Sequence, residues 1–263
     1  MPAIPQFRFS HHFPGSIWNT LAVPENHILI IEVRDDKNFQ VQFFALNFLT
    51  NKFIWENVKL KESWWIGLTA VNTQTLLFHT FVNRGNPDHK NLTAFDIFDQ
   101  KIRWEIGEFS FFDWNDKEIL GYRTTNELVQ ATINIESGAI TDGKWEAQPM
   151  DNQTESSKPI QYFEGTLNFE TVKKFMNQKT QYQITKGVEY LECKEWIIIS
   201  AYVEGEKGLA NYLLVFNTEG EVLLEEKLGE NLPGLGSDTF FMLSGCLFLV
   251  KNKSELVAYT FYD

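Results

Sequence analysis

Residues 78–91, FHTFVNRGNPDHKN, gather His79, Asn83, Arg84, Asp88 and His89 in or beside one polar loop. Adjacent Asp88 and His89, with Arg84 close, are the side-chain types that hold a carboxylate, a phosphate or a metal ion. Binding groups often sit on loops carried by a rigid sheet, although a solvated polar loop has the same composition. His79 stands in an apolar strand pattern, where a hydrogen-bonded core histidine competes with a ligand role. A second stretch, ESWWIGL at 62–68, sets Trp64 beside Trp65. In an extended strand the two indoles point to opposite faces. One then joins a core, and the other is free to stack on a ring-shaped ligand or a sugar. A third stretch, GYRTTNE at 121–127, reads as a polar turn through which Tyr122 and Arg123 join such a surface.

Catalytic templates are missing. There is no Gly-x-Ser-x-Gly, no glycine-rich lysine loop, no paired histidines at helical spacing and no Cys-x-x-Cys. GLGSD at 234–238 lacks the strand–helix context that cradles phosphate. Catalytic residues stay unassigned, and neither a metal site nor a cofactor is expected. The two cysteines, Cys193 and Cys246, lie in apolar settings and read as buried free thiols, with a single disulfide as the alternative.

The elements that must position these groups are short. HILIIEV, VQFFALNF, TLLFHTFV, LVQATINI, WIIISAYV, NYLLVFN, CLFLVK and ELVAYTF are apolar and β-branched or aromatic, with turn-rich segments between them. The chain is therefore expected to be all-β. With 263 residues it has ample length for a core. A formal net charge of −12 argues against nucleic acid or an anionic membrane as partner. The start shows no signal-peptide pattern and no stretch has the length of a membrane span, so a cytoplasmic location is expected.

One sentence is written twice. ALNFLTNKFIWE begins at Ala45, and AFDIFDQKIRWE begins at Ala94. Each copy ends a strand at Asn47 or Asp96, turns, and runs to Trp55 or Trp104. An Asx side chain caps such a turn, and Asn51 suits a left-handed backbone. Weaker copies place Asn134 and Asn217 in the Asx slot. A period of about 40–50 residues is that of four-stranded propeller blades.

The pattern Ala-x-Asp-x-x-Thr-Gly-Lys-x-x-Trp resembles the tryptophan-docking repeat of quinoprotein-like β-propellers. Ala45, Thr50, Lys52 and Trp55 match it, as do Ala94, Asp96, Lys101 and Trp104. Asn47 and Asn51 replace its Asp and Gly. The resemblance implies that Trp55 and Trp104 wedge between neighbouring blades. It carries over no quinone or calcium residues. The whole chain also resembles a bacterial family of propeller-like proteins to which no activity is attached.

A single β-propeller domain over 1–263 is expected, with blades at about 16–58, 64–106, 108–146, 188–228 and 238–261. PQFRFS at the start is expected to pair with the last blade. The segment 147–187 is either a helix-bearing insertion or a degenerate sixth blade. In it Phe169, Val172, Phe175 and Met176 share a helical face. Two functions compete. The first is a non-enzymatic propeller presenting a rim surface or axial pocket to a protein or small ligand. The second is a hydrolase or lyase acting on a sugar or polar metabolite, with carboxylates from different blades.

Overall fold

A computed structural model describes residues 4–83, 85–115, 117–124, 128–141 and 156–261, with backbone only at 87–89, 124 and 128. It is built from five antiparallel sheets, each of four or five strands. This is the fold class of a β-propeller of about five blades. The first strand, β1 (Gln6–His12), belongs to the last sheet. The first sheet is β2 (Ser16–Val23), β3 (Ile28–Asp35), β4 (Gln40–Asn47) and β5 (Lys52–Val58). The second is β6 (Ile66–Val71), β7 (Thr75–Asn83), β8 (Asn86–Asp96) and β9 (Lys101–Ile106). The third is β10 (Phe109–Trp114), β11 (Glu118–Thr124), β12 (Leu128–Asn134) and β13 (Ile140–Thr141).

The short strand β14 (Ser156–Ser157) pairs with the last sheet. The fourth sheet is β15 (Ile160–Phe163), β16 (Ile184–Cys193), β17 (Trp196–Gly205), β18 (Gly208–Asn217) and β19 (Val222–Leu232). The helix α1 (Leu167–Lys179) lies between β15 and β16 in sequence. The fifth sheet runs β14, β20 (Phe240–Leu243), β21 (Cys246–Lys251) and β22 (Glu255–Thr260), and ends on β1. The chain divides into two compact units. Trp18–Gln153 carries the first three sheets, and Met1–Ile17 with Thr154–Asp263 carries the other two.

The expected pairing of the N-terminal segment with the last sheet is present, from Gln6 opposite Thr260 to His12 opposite Glu255. The expected helix is also present. Thr166 caps it by accepting from the Phe169 amide, and Phe169, Val172 and Met176 are buried against the fourth sheet. The described part of 147–187 lends strands and a helix to existing sheets and forms no sheet of its own. Cys246 is buried as expected, but Cys193 is only half-buried, and both are free thiols.

Three of the four copies share one geometry; the Asn217 copy departs, with amides accepted from Glu219 and Glu221 and its left-handed residue, Gly220, three positions on. Asn47, Asp96 and Asn134 each accept backbone amides two or three residues on, and a left-handed residue follows four positions after each: Asn51, Gln100 and Gly138. The turn holds four residues, because Asn47 pairs with Lys52 and Asp96 with Lys101. Trp55 Nε1 donates to the Ile97 carbonyl of the next sheet at 2.9 Å, and Trp104 Nε1 to the Ile135 carbonyl at 2.9 Å. Both indoles therefore sit at a sheet-to-sheet seam. Apolar side chains fill the same seams, Ile30, Phe43 and Trp55 against Ile66, Phe78 and Phe95, and Leu77, Leu92 and Ala94 against Phe109, Ile119 and Ile133. Burial of this kind contributes about 25 cal/mol per Å² of apolar surface.

Candidate functional site

Alternation along β3 puts Ile28, Ile30, Glu32 and Arg34 on one face. The first two enter the core shared with the second sheet. Glu32 and Arg34 follow them, so a charge pair is drawn into the end of an apolar seam. Glu32 is 1% exposed and accepts from Arg34 Nε at 2.7 Å and from the Leu68 amide of β6 at 2.9 Å. Burial pushes its carboxyl above the usual range, while the Leu68 amide and the Arg34 charge oppose that rise.

Each guanidinium nitrogen of Arg34 has an acceptor. It also donates to the carbonyls of Trp64 at 3.2 Å and Ile66 at 2.7 Å. Its guanidinium lies 5.0 Å from the Trp18 ring centroid and 5.4 Å from that of Trp64. A half-buried, hydrogen-bonded cation thus fixes two indoles. Phe39 meets Trp64 edge-on at 5.3 Å. Trp18 is 67% exposed and Phe39 62% exposed, so the stack opens to solvent.

Phe39 occupies a telling backbone position. Asp35 accepts the amides of Lys37 and Asn38 and stands opposite Gln40 in the register, so 35–40 repeats the Asx turn described above. The left-handed slot, held elsewhere by Asn51, Gln100 and Gly138, here carries Phe39 at φ 52°. A bulky aromatic there costs about 1–2 kcal/mol relative to glycine.

Trp64 and Trp65 do not lie in the first strand of the second sheet, as the sequence suggests. They precede β6 in a bend where Glu62 accepts both of their amides at 2.9 Å. The bend still sends them apart. Trp64 packs on the first core and on Phe39, and Trp65 meets Phe81 edge-on at 6.3 Å.

His79 is in β7, half-buried, with Nδ1 2.9 Å from the Thr69 hydroxyl. It lies opposite Gly67, and the missing side chain there is what admits it. A methyl at Gly67 would meet His79 Cε1 at 2.9 Å, Nε2 at 3.1 Å and Glu32 Oε2 at 3.4 Å. Burial first, then the charges of Lys90 and Arg34, bring His79 down to about 4, so it is neutral at pH 7.

The hairpin expected as a long loop is tighter. β8 begins at Asn86, and Asn83 accepts the Gly85 amide at 2.9 Å. Arg84 and the side chains of Asp88 and His89 lie outside the described residues. The 121–127 turn is a strand instead up to Thr124, with Tyr122 and Arg123 in β11. Tyr122 meets Phe112 edge-on at 6.1 Å, and Arg123 Nε is buried with no hydrogen-bond acceptor. Of the sequence candidates, Trp65 and His79 meet at Phe81, whereas Trp64 joins the first core and Phe39 instead. Trp18, Glu32, Arg34, Phe39, Thr69 and Lys90 were missed. A lone Glu in ILIIEV, and Phe at the left-handed slot of RDDKNFQ, were the available signals.

The other unit holds a related arrangement. Glu189 of β16, 2% exposed, accepts from the Thr239 amide at 3.1 Å and also meets the Thr239 hydroxyl. Thr239 Oγ1 lies 2.8 Å from Ser200 Oγ, which is 3.1 Å from Asn211 Oδ1. In each unit a buried glutamate thus reaches the backbone at or before the first strand of the following sheet. Among the described residues no three His, Cys, Asp or Glu side chains converge to hold a metal ion.

Residues 22–104 match a family model described as Domain of unknown function (DUF4905). The matched stretch contains Glu32, Arg34, Phe39, Trp64 and His79. No curated protein matches. Among solved structures, the chain is similar to BamB from Moraxella catarrhalis, at 9% identity and TM-score 0.35, covering 98% of this chain and 100% of that one. A member of the duf4221 family from Bacteroides vulgatus gives 9% identity and TM-score 0.38, covering 100% and 99%. A bifunctional GH43-CE protein from Bacteroides eggerthii gives 10% identity and TM-score 0.29, covering 95% of this chain and 34% of that one.

Proposed function

We propose that the protein is a non-enzymatic binding propeller whose recognition surface is the aromatic face of Trp18, Phe39 and Trp64, clamped by Arg34. The observation that carries this reading is Phe39, a solvent-exposed aromatic in a left-handed turn slot that three sister turns fill with Asn, Gln or Gly. Local strain of this kind persists where a site uses it. Because Arg34 spends its donors on Glu32 and on backbone carbonyls, it supports the rings and does not itself bind. The ligand then needs a flat apolar face, as on a small ring compound, a sugar or an aromatic side chain of a protein partner. A net charge of −12 supports a protein or small molecule over nucleic acid or membrane, and the reading takes a cytoplasmic setting.

The test is a thermal-shift and calorimetric screen of ring compounds and sugars, with Phe39→Asn and Trp18→Ala as controls. Binding that both substitutions abolish supports the reading. Ligands that bind both variants as well as the parent refute it.

A second reading, a hydrolase or lyase acting on a sugar or polar metabolite, is favoured by one observation. A carboxyl made hard to ionise, Glu32, and a neutral imidazole, His79, both border Gly67. Turnover of a glycoside panel that Glu32→Gln eliminates would support it.

A further inference from the structure

The seam between the second and third sheets carries two cations that no carboxylate among the described residues neutralises. Leu77, Leu92 and Ala94 face the third sheet, so His79, Phe81 and Lys90, which alternate or pair with them, share that face. Lys90 lies with Nζ 5.1 Å from the Phe81 centroid and has no carboxylate partner among the described residues. From the other side Ile119 faces the second sheet, and Arg123, four residues along the same strand, shares its face. Arg123 sits opposite Phe109 at the start of β10. That start is tied to β8 by the Glu108 amide, which donates to Asn91 Oδ1 at 3.0 Å. Asn91 adjoins Lys90, so Arg123 and Lys90 come to the same end of one seam.

Arg123 Nε is buried and donates to nothing among the described residues. A buried donor left unmade is expensive, and a guanidinium presents a fork matched to oxyanions. The chain has 35 Asp and Glu residues against 23 Lys and Arg, yet none of the described acids is paired with either cation. Phe81, with Trp65 edge-on to it, supplies an apolar wall beside Lys90.

We propose that this end of the seam binds a small oxyanion, a carboxylate or phosphate group, held by Arg123 and Lys90. The site is separate from the aromatic face and does not rest on it.

The experiment titrates the full chain with sodium phosphate and with sodium citrate, against sodium chloride at matched ionic strength. Melting temperature, calorimetric affinity and the His79 imidazole titration by NMR are read together. The expected result is a saturable rise in melting temperature with at least one oxyanion and not with chloride. Arg123→Gln and Lys90→Gln should each weaken that binding at least tenfold. Saturation should also move His79 protonation to higher pH, because the bound charge offsets Lys90. Without oxyanion, Arg123→Gln should melt at or above the parent, since an unpaired buried donor is gone. An equal response to chloride overturns the proposal, as does unchanged binding by both variants. A large loss of stability in Arg123→Gln without anion, with Lys90→Gln binding normally, would also overturn it.

Discussion

Trp55 Nε1 donates to the carbonyl oxygen of Ile97, 2.9 Å away and one sheet further along the chain. Ile97 follows Asp96, so the indole of one repeat grips the Asx turn of the next. Trp104 repeats the grip on Ile135, which follows Asn134. Trp55→Phe keeps most of the apolar contact and leaves a buried carbonyl unmet. The expected loss is about 1–3 kcal/mol, read as a lower urea midpoint with unchanged slope. Trp104→Phe should cost less, because that indole is only half-buried.

The left-handed slot gives paired predictions of opposite sense. Gly138 has φ +71°, and an added Cβ would meet Trp104 Cγ at 2.6 Å. Gly138→Ala should therefore destabilise by roughly 1–3 kcal/mol through strain and displacement of the indole. Phe39→Asn relieves a strained backbone but removes the edge contact with Trp64, terms of about 1 kcal/mol each. Its melting temperature should stay within a few degrees of the parent. A substitution neutral for stability that abolishes ligand binding is the signature expected of a residue kept for function.

His79 sets a pH dependence with a definite sign. Folding lowers its titration from 6.5 to about 4, so between those values the unfolded chain holds a proton that the folded chain refuses. This stabilising contribution is present above about pH 6.5 and is lost as pH falls toward 4. It amounts to at most about 3 kcal/mol. His79→Gln, which can still accept from Thr69, should flatten the fall in stability over that window. Denaturant midpoints at pH 7 and pH 4.5 for parent and variant check this.

The chain from Glu189 to Asn211 obeys a proton count. Thr239 has one hydroxyl proton and two neighbours, Glu189 Oε2 and Ser200 Oγ. If Thr239 donates to an ionised Glu189, Ser200 must donate to Thr239, and the Asn211 amide must present Nδ2 to Ser200. That orientation also gives a partner to the otherwise unpaired Asn211 Nδ2. Burial raises the Glu189 carboxyl, so its contribution to stability is present below 4.5 and declines as pH rises through the folded value. Thr239→Val removes a donor to the carboxylate. Its cost should be about 1–3 kcal/mol at pH 7 and smaller at pH 4.5, by denaturant titration at both.

The local signals were sufficient for much of the architecture. Asn47, Asp96 and Asn134 declare their turns because an Asx side chain caps its own backbone, whatever surrounds it. The strand pattern, the helix face of Phe169, Val172 and Met176, and the first sheet at 16–58 follow from alternation and periodicity, which neighbours do not change. Strand ends were less legible. The second hairpin continues to Asn83 and resumes at Asn86, because cross-strand pairing with residues such as Lys90 extends strands through polar sequence.

The candidate sites were decided elsewhere. Glu32 and Gly67 are an acid and a glycine in unrelated strands until a seam brings the Leu68 amide to the carboxylate and His79 over the glycine. Trp64 was visible as an aromatic, but its clamping, with Trp18, by Arg34 was not. Sequence by itself determined which segments become strands and turns, since those rest on backbone preferences acting over a few residues. Only tertiary structure decided which charges lose water and which rings stay in it, because desolvation depends on what the next sheet places against a side chain.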